Sequence, residues 1–132
     1  MMKRSTNKLL LFLILLVICT STVCAAWSPL IWVSVPRFGK WSETSRRVQK
    51  DNYARTAWIQ KNTQSIAMNV YADLVSPVTG TRSVTDYILL DGTRQTLHYK
   101  QSFGGLGSYH MGRISSENWE PLTNHVSYWF YP

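Results

Sequence analysis

Apolar side chains recur at every second position from Ile66 to Leu74. Ile66, Met68, Val70, Ala72 and Leu74 fall on one side, and Ala67, Asn69, Tyr71 and Asp73 on the other. Successive side chains of a strand point to opposite faces, so this order makes one face apolar. A helix would scatter the same side chains around its circumference. The pattern constrains the fold because it returns. Between His125 and Tyr131, Val126, Tyr128 and Phe130 oppose Ser127, Trp129 and Tyr131. Thr93 to Gln101, Ser108 to Ser116 and the stretch from Tyr53 read as strands too, and Arg82 to Leu90 is rich in β-branched and aromatic residues. Turn chemistry punctuates them. Asn62-Thr63 predicts a turn, as do Ser76-Pro77-Val78-Thr79-Gly80 and Gly104-Gly105-Leu106-Gly107. Asp91-Gly92 predicts a type I′ hairpin, because both its central residues need positive φ. About six to eight short strands with turn signals every ~8–12 residues predict an all-β fold, an antiparallel β-sandwich.

The N-terminus has a different character. Lys3, Arg4 and Lys8 precede an unbroken apolar run from Leu9 to Ile18, and Thr20 to Ala26 is small and weakly polar. That is the order of a secretory signal peptide, expected over 1–26 with cleavage after Ala25 or Ala26. The run is about 10 residues long and a bilayer-spanning helix needs ~20, so no stable transmembrane anchor is expected. A single secreted domain is then expected over 27–132. Both cysteines, Cys19 and Cys24, lie in the signal, so the mature domain must hold its core without disulfides. Its tryptophans and tyrosines are the natural means, since each buried ring removes roughly 150–250 Å² from water. Pro29 and Pro36 interrupt the stretch from Trp27 to Trp41, leaving room for a short edge strand between them. Residues 27–50 are expected as an irregular aromatic strap, and 51–132 as the core strands.

Charge narrows the partners. The chain carries +7, and with the three basic residues of the signal set aside, 11 basic and 7 acidic residues remain. This mild excess favours anionic surfaces such as bacterial envelopes and acidic glycans. It is too scattered to argue for nucleic acid.

Catalytic patterns are weak. His98, His110 and His125 stand 12 and 15 residues apart with no cysteine to assist, so no metal site and no cofactor is expected. Gly107-Ser108 leads into Tyr109 rather than a nucleophile elbow. Glu117 and Glu120 flank Trp119, which is a pattern for sugar hydrolysis and equally for a loop whose Trp plugs the end of a sandwich. Binding has more support. The last strand carries rings on both faces, and Arg82, Arg94, Lys100 and Arg113 lie on or near predicted strands. The expected ligand-binding residues are Trp119, Trp129 and Tyr131 for ring contact, and Arg94 and Arg113 for phosphate or carboxylate.

Gly112-Arg113, then Glu117, then Val126-Ser127-Tyr128-Trp129-Phe130-Tyr131 resemble the ending of the lactococcin-972 type of secreted bacteriocin. Small exported Gram-positive proteins of unknown function share the same aromatic ending. The resemblance covers about the last 80 residues. It implies a β-sandwich that binds the cell-wall precursor lipid II and blocks septum formation without making pores. The extra segment from Trp27 to about Lys50 departs from that pattern. The expectation is therefore a secreted bacteriocin-like or envelope-directed binding protein, not an enzyme, that engages an anionic cell-wall precursor or glycan. The alternatives are a secreted cell-wall hydrolase using Glu117 or Glu120, or a non-catalytic immunity or structural protein. The edge from Val126 to Tyr131 also leaves a homo-oligomer open.

Overall fold

The computed structural model describes residues 27–132, and the expected signal peptide lies outside the described residues. Eight strands follow in order: β1 Ile31–Val35, β2 Val48–Gln49, β3 Thr56–Gln64, β4 Val70–Val75, β5 Ile88–Leu89, β6 Gln95–His98, β7 Tyr109–Ser116 and β8 Asn124–Tyr131. They form two four-stranded antiparallel sheets, β1-β8-β3-β6 and β2-β7-β4-β5, as a β-sandwich requires. No helix among the described residues is long and apolar enough to cross a membrane.

The alternation read along β8 is the alternation that packs. Val126, Tyr128 and Phe130 are fully buried, and they meet Val35, Ala57 and Ile59 of the same sheet with Val70, Ala72, Leu74 and Ile114 of the other. Register follows from this burial, because a one-residue slip would turn each apolar set to solvent. Ile59 thus faces Phe130 in the pairing, and Ala57 faces Leu97. Gly112 completes the core by what it lacks. A Cβ there would stand 2.7 Å from Tyr128 Oη, so only glycine lets β7 pass over that ring.

The chain departs from the sequence expectations at its turns. Asn62-Thr63 is not a turn. β3 continues to Gln64 through a register shift between Lys61 and Thr63. Asn62 Nδ2 donates to Ser127 Oγ at 3.2 Å, and Thr63 Oγ1 pairs with the same oxygen at 2.7 Å, which satisfies the bulge. The alternation that begins at Ile66 becomes a paired strand only from Val70, because Asn124 ties up residues 65 and 66 at the crossing between sheets. Its Oδ1 accepts from Ile66 N at 3.0 Å and from Ser65 Oγ at 2.9 Å. Asp91-Gly92 does not close a hairpin either. β5 before it belongs to one sheet and β6 after it to the other. Asp91 Oδ1 instead accepts from Thr93 N at 2.7 Å and Gln95 Nε2 at 2.9 Å, an Asx turn at a sheet-to-sheet crossing. Arg82 to Leu90 is mostly irregular, paired only at single bridges before β5. The segment expected as a strap contributes an edge strand to each sheet, β1 and β2.

Candidate functional site

The outer face of the first sheet is the complement of its core face. With Ala57 and Ile59 inward, Trp58 and Gln60 of β3 turn outward; with Tyr128 and Phe130 inward, Trp129 and Tyr131 of β8 do the same. Pairing sets Trp58 against Tyr131 and Gln60 against Trp129. The Trp58 and Tyr131 rings stack with centroids 5.6 Å apart and planes 18° apart. Trp27, arriving before β1, tilts onto Tyr131 at 6.0 Å. Arg94, in the connection leading to β6, places its guanidinium 5.0 Å from the ring centres of both Trp27 and Trp58. A guanidinium stacked on rings keeps its in-plane N–H groups free for a carboxylate or phosphate. Arg94 is exposed and makes no ion pair among the described residues. Tyr131 is held in place by its hydroxyl, which donates to Asp51 Oδ1 at 2.8 Å and accepts from Asn52 Nδ2 at 3.1 Å. Burial, and then the bond to Asp51, raise its pKa. On the edge strand Trp32 turns outward opposite Ser127, 67% exposed.

The second sheet carries another aromatic and arginine cluster on its outer face, with a different centre. Asp73 pairs in register with Arg113, and its side chain is wholly buried. The carboxylate accepts from Arg82 Nε at 2.7 Å, Arg113 Nε at 2.8 Å and Arg113 Nη2 at 2.9 Å. A buried carboxylate is tolerable only when paired and hydrogen-bonded in this manner. Trp41 closes the cluster, 4.5 Å from the Arg113 guanidinium and 5.9 Å from that of Arg82. Tyr87 stands edge-on to Trp41 and Tyr71. Tyr71 Oη donates to Glu117 Oε1, and this bond, ahead of burial, raises the phenol pKa. A polar recess of about 290 Å³ opens beside these groups.

The five residues expected to form one site therefore lie in three places. Trp129, Tyr131 and Arg94 share the outer face of the first sheet, joined there by Trp27 and Trp58. Arg113 belongs to the opposite face and is committed to Asp73. Trp119 is 71% exposed on the loop between β7 and β8. Sequence reasoning missed Trp58 and Trp27 as partners of Arg94. The available signal was that Trp58 alternates out of phase with Ala57 and Ile59.

The acids beside Trp119 have structural partners. Glu117 takes the Tyr71 hydroxyl, and the nearly buried Glu120 accepts from Leu122 N at 3.1 Å. No group of three His, Cys, Asp or Glu side chains able to hold a metal comes together among the described residues. His98 and His125 are exposed, whereas His110 is buried. Its Nδ1 and Nε2 meet Ser83 Oγ at 3.1 Å and Ser108 Oγ at 2.8 Å, and its ring packs 4.7 Å from Tyr99. Burial first, and the charge of Lys50 second, pull its pKa down to about 4, so it stays neutral near pH 7. Ser108 Oγ donates to Gly105 O at 2.6 Å, so this hydroxyl serves a turn. Lys50 is itself buried, its Nζ bonded to Asn52 Oδ1 at 2.6 Å, and burial lowers its pKa. A recess of about 870 Å³ runs between the free edge of β1 and the segment leading to β2. No protein-family model, curated protein or solved structure matches this chain, so the geometry of its own faces carries the functional argument.

Proposed function

We propose that this chain is a secreted, non-catalytic binding protein that engages an anionic component of the bacterial envelope, a cell-wall precursor such as lipid II or an acidic glycan, on the outer face of its first sheet. One observation carries the reading. Arg94 is exposed, its guanidinium lies 5.0 Å from the ring centres of both Trp27 and Trp58 and makes no ion pair among the described residues, and beside it are the stacked Tyr131 and the half-buried Trp129. Rings supply flat apolar contact for a sugar and the guanidinium edge supplies paired hydrogen bonds to a phosphate or carboxylate. The mild basic excess favours the same class of ligand. Glu117 and Glu120, the acids a hydrolase would use, are engaged by Tyr71 and by the Leu122 amide.

Titration of the protein with lipid II and with purified peptidoglycan tests this. Binding in the micromolar range or tighter is expected, weakened about tenfold or more by Arg94→Ala and by Trp58→Ala, since one lost charge-assisted pair or ring contact is worth about that much. Equal affinity in these variants rejects the site, and absence of binding to both ligands rejects the function. Growth arrest of Gram-positive cells would assign the antibacterial form of the reading, and binding without arrest the accessory form.

A further inference from the structure

At one end of the sandwich the loop after β1 and the loop between β7 and β8 are locked together. Phe38 N donates to Glu120 O at 2.7 Å, Gly39 N donates to Ser116 Oγ at 3.3 Å, and Ser116 Oγ donates to Pro36 O at 3.0 Å. The joined loops raise apolar side chains into solvent: Phe38 is 50% exposed, Trp119 71% and Leu122 52%. Phe38 holds a φ of 59°, the sole positive value at a non-glycine among the described residues. An aromatic residue there is strained, and such strain persists where the surrounding structure enforces it. Here the fold holds a large apolar ring outward at a loop tip rather than using the glycine that the backbone would prefer.

The charged residues that flank Phe38 directly are basic. Arg37 and Lys40 are exposed and make no ion pair among the described residues, and the Arg37 guanidinium lies 5.6 Å from the Phe38 ring centre. Of the nearby acids, Glu120 is buried with its carboxylate on Leu122 N and Glu117 is half-buried on Tyr71, while the exposed Glu43 comes after Ser42, where the chain already runs back along β7 with Ser42 N bonded to Ile114 O. Aromatic rings settle at the headgroup level of a bilayer, apolar side chains reach just below it, and flanking lysine and arginine gain from anionic headgroups. We infer that the Phe38, Trp119 and Leu122 tip, rimmed by Arg37 and Lys40, docks the protein reversibly on the surface of an anionic lipid bilayer. The tip inserts shallowly and spans nothing. It is separate from the Arg94 face, and the inference stands whether or not that face binds a wall component.

Sedimentation with vesicles tests it. The protein is expected to bind vesicles of phosphatidylcholine with about one-quarter phosphatidylglycerol, more strongly than pure phosphatidylcholine, and to leave them as salt rises to about 0.5 M. Brominated lipid should quench Trp119 fluorescence, a signal absent from Trp119→Phe. Phe38→Gly, which relieves the backbone strain and so preserves the fold, is expected to weaken binding about tenfold, and Trp119→Ser combined with Leu122→Ser more. Arg37→Gln with Lys40→Gln should remove the preference for the anionic vesicles. Val78→Ser, which removes a 90% exposed apolar residue from the β4–β5 connection at the other end of the sandwich, should change nothing. The inference is overturned by failure to bind either vesicle, by Trp119 emission that lipid does not quench, or by Val78→Ser weakening binding as much as Phe38→Gly. A tip that instead docks on another protein would produce the first of these results.

Discussion

The two outer faces of the sandwich carry the same chemistry and do opposite things with it. Each sets arginine against tryptophan and tyrosine. On the second sheet Arg82 and Arg113 converge on the buried Asp73, with Trp41 beside them, and the carboxylate takes three of their N–H donors. On the first sheet Arg94 lies against Trp27 and Trp58 with no ion pair among the described residues, and its donors stay available. A single carboxylate separates a structural clasp from a receptive surface. In low dielectric surroundings the buried charge must be matched, so Asp73 claims both arginines; in solvent, ring stacking orders Arg94 without consuming it.

The sharpest way to break this comparison is to remove the carboxylate. Asp73→Ala leaves two guanidinium groups uncompensated under Trp41 and should cost about 3–5 kcal/mol, a large share of a typical ~5–15 kcal/mol stability, as read by urea unfolding. A cost below about 1 kcal/mol would mean that water already screens the cluster, and the two faces would then be alike.

Acidification probes the core between them. His110 falls from an ordinary 6.5 to about 4 on folding, so between these values the unfolded chain binds the extra proton. Stability from this group is complete above pH ~6.5 and is lost as pH falls toward ~4, by up to about 3 kcal/mol. His110→Gln should flatten that part of the pH profile. Ligand release over this window with unfolding reports the core, whereas release without unfolding reports the Arg94 face.

Gly112→Ala drives a methyl group toward Tyr128 Oη, under the clasp of the second sheet, and should cost about 1–3 kcal/mol in thermal or urea unfolding, with the Arg94 face unchanged. The smallest stability effect belongs to Arg94→Ala. Two exposed ring contacts contribute about 0.5–1 kcal/mol each, so its unfolding curve should barely move while binding falls. If Arg94→Ala proves as destabilising as Asp73→Ala, the first face is also a structural device.

Much of the fold was legible in local pattern. The inward set on β8 and the set Val70, Ala72 and Leu74 on β4 were visible as alternation, because that period depends only on neighbouring residues. So was the edge strand between Pro29 and Pro36. The turns were less legible. Asp91-Gly92 carries a strong hairpin signal, yet the strands on either side find partners in different sheets, and a turn dipeptide cannot report on partners. Asn62-Thr63 likewise becomes a bulge because Ser127, distant in sequence, satisfies it.

The same division runs through the candidate site. Sequence alone determined that Trp129 and Tyr131 share a face, that Arg113 follows Gly112 on an expected strand, and that arginine and aromatic residues recur along the strands. Only the tertiary structure decided which arginine meets an acid. Asp73 and Arg113 lie 40 residues apart and come together because β4 and β7 pair in one register. Trp27 reaches Tyr131 only because Ser28 N and the carbonyl of Phe130 bond at 2.7 Å. Alternation is a property of the backbone and is written locally. Strand partnership rests on backbone hydrogen bonds that every sequence can make, so it is settled by packing the whole core at once.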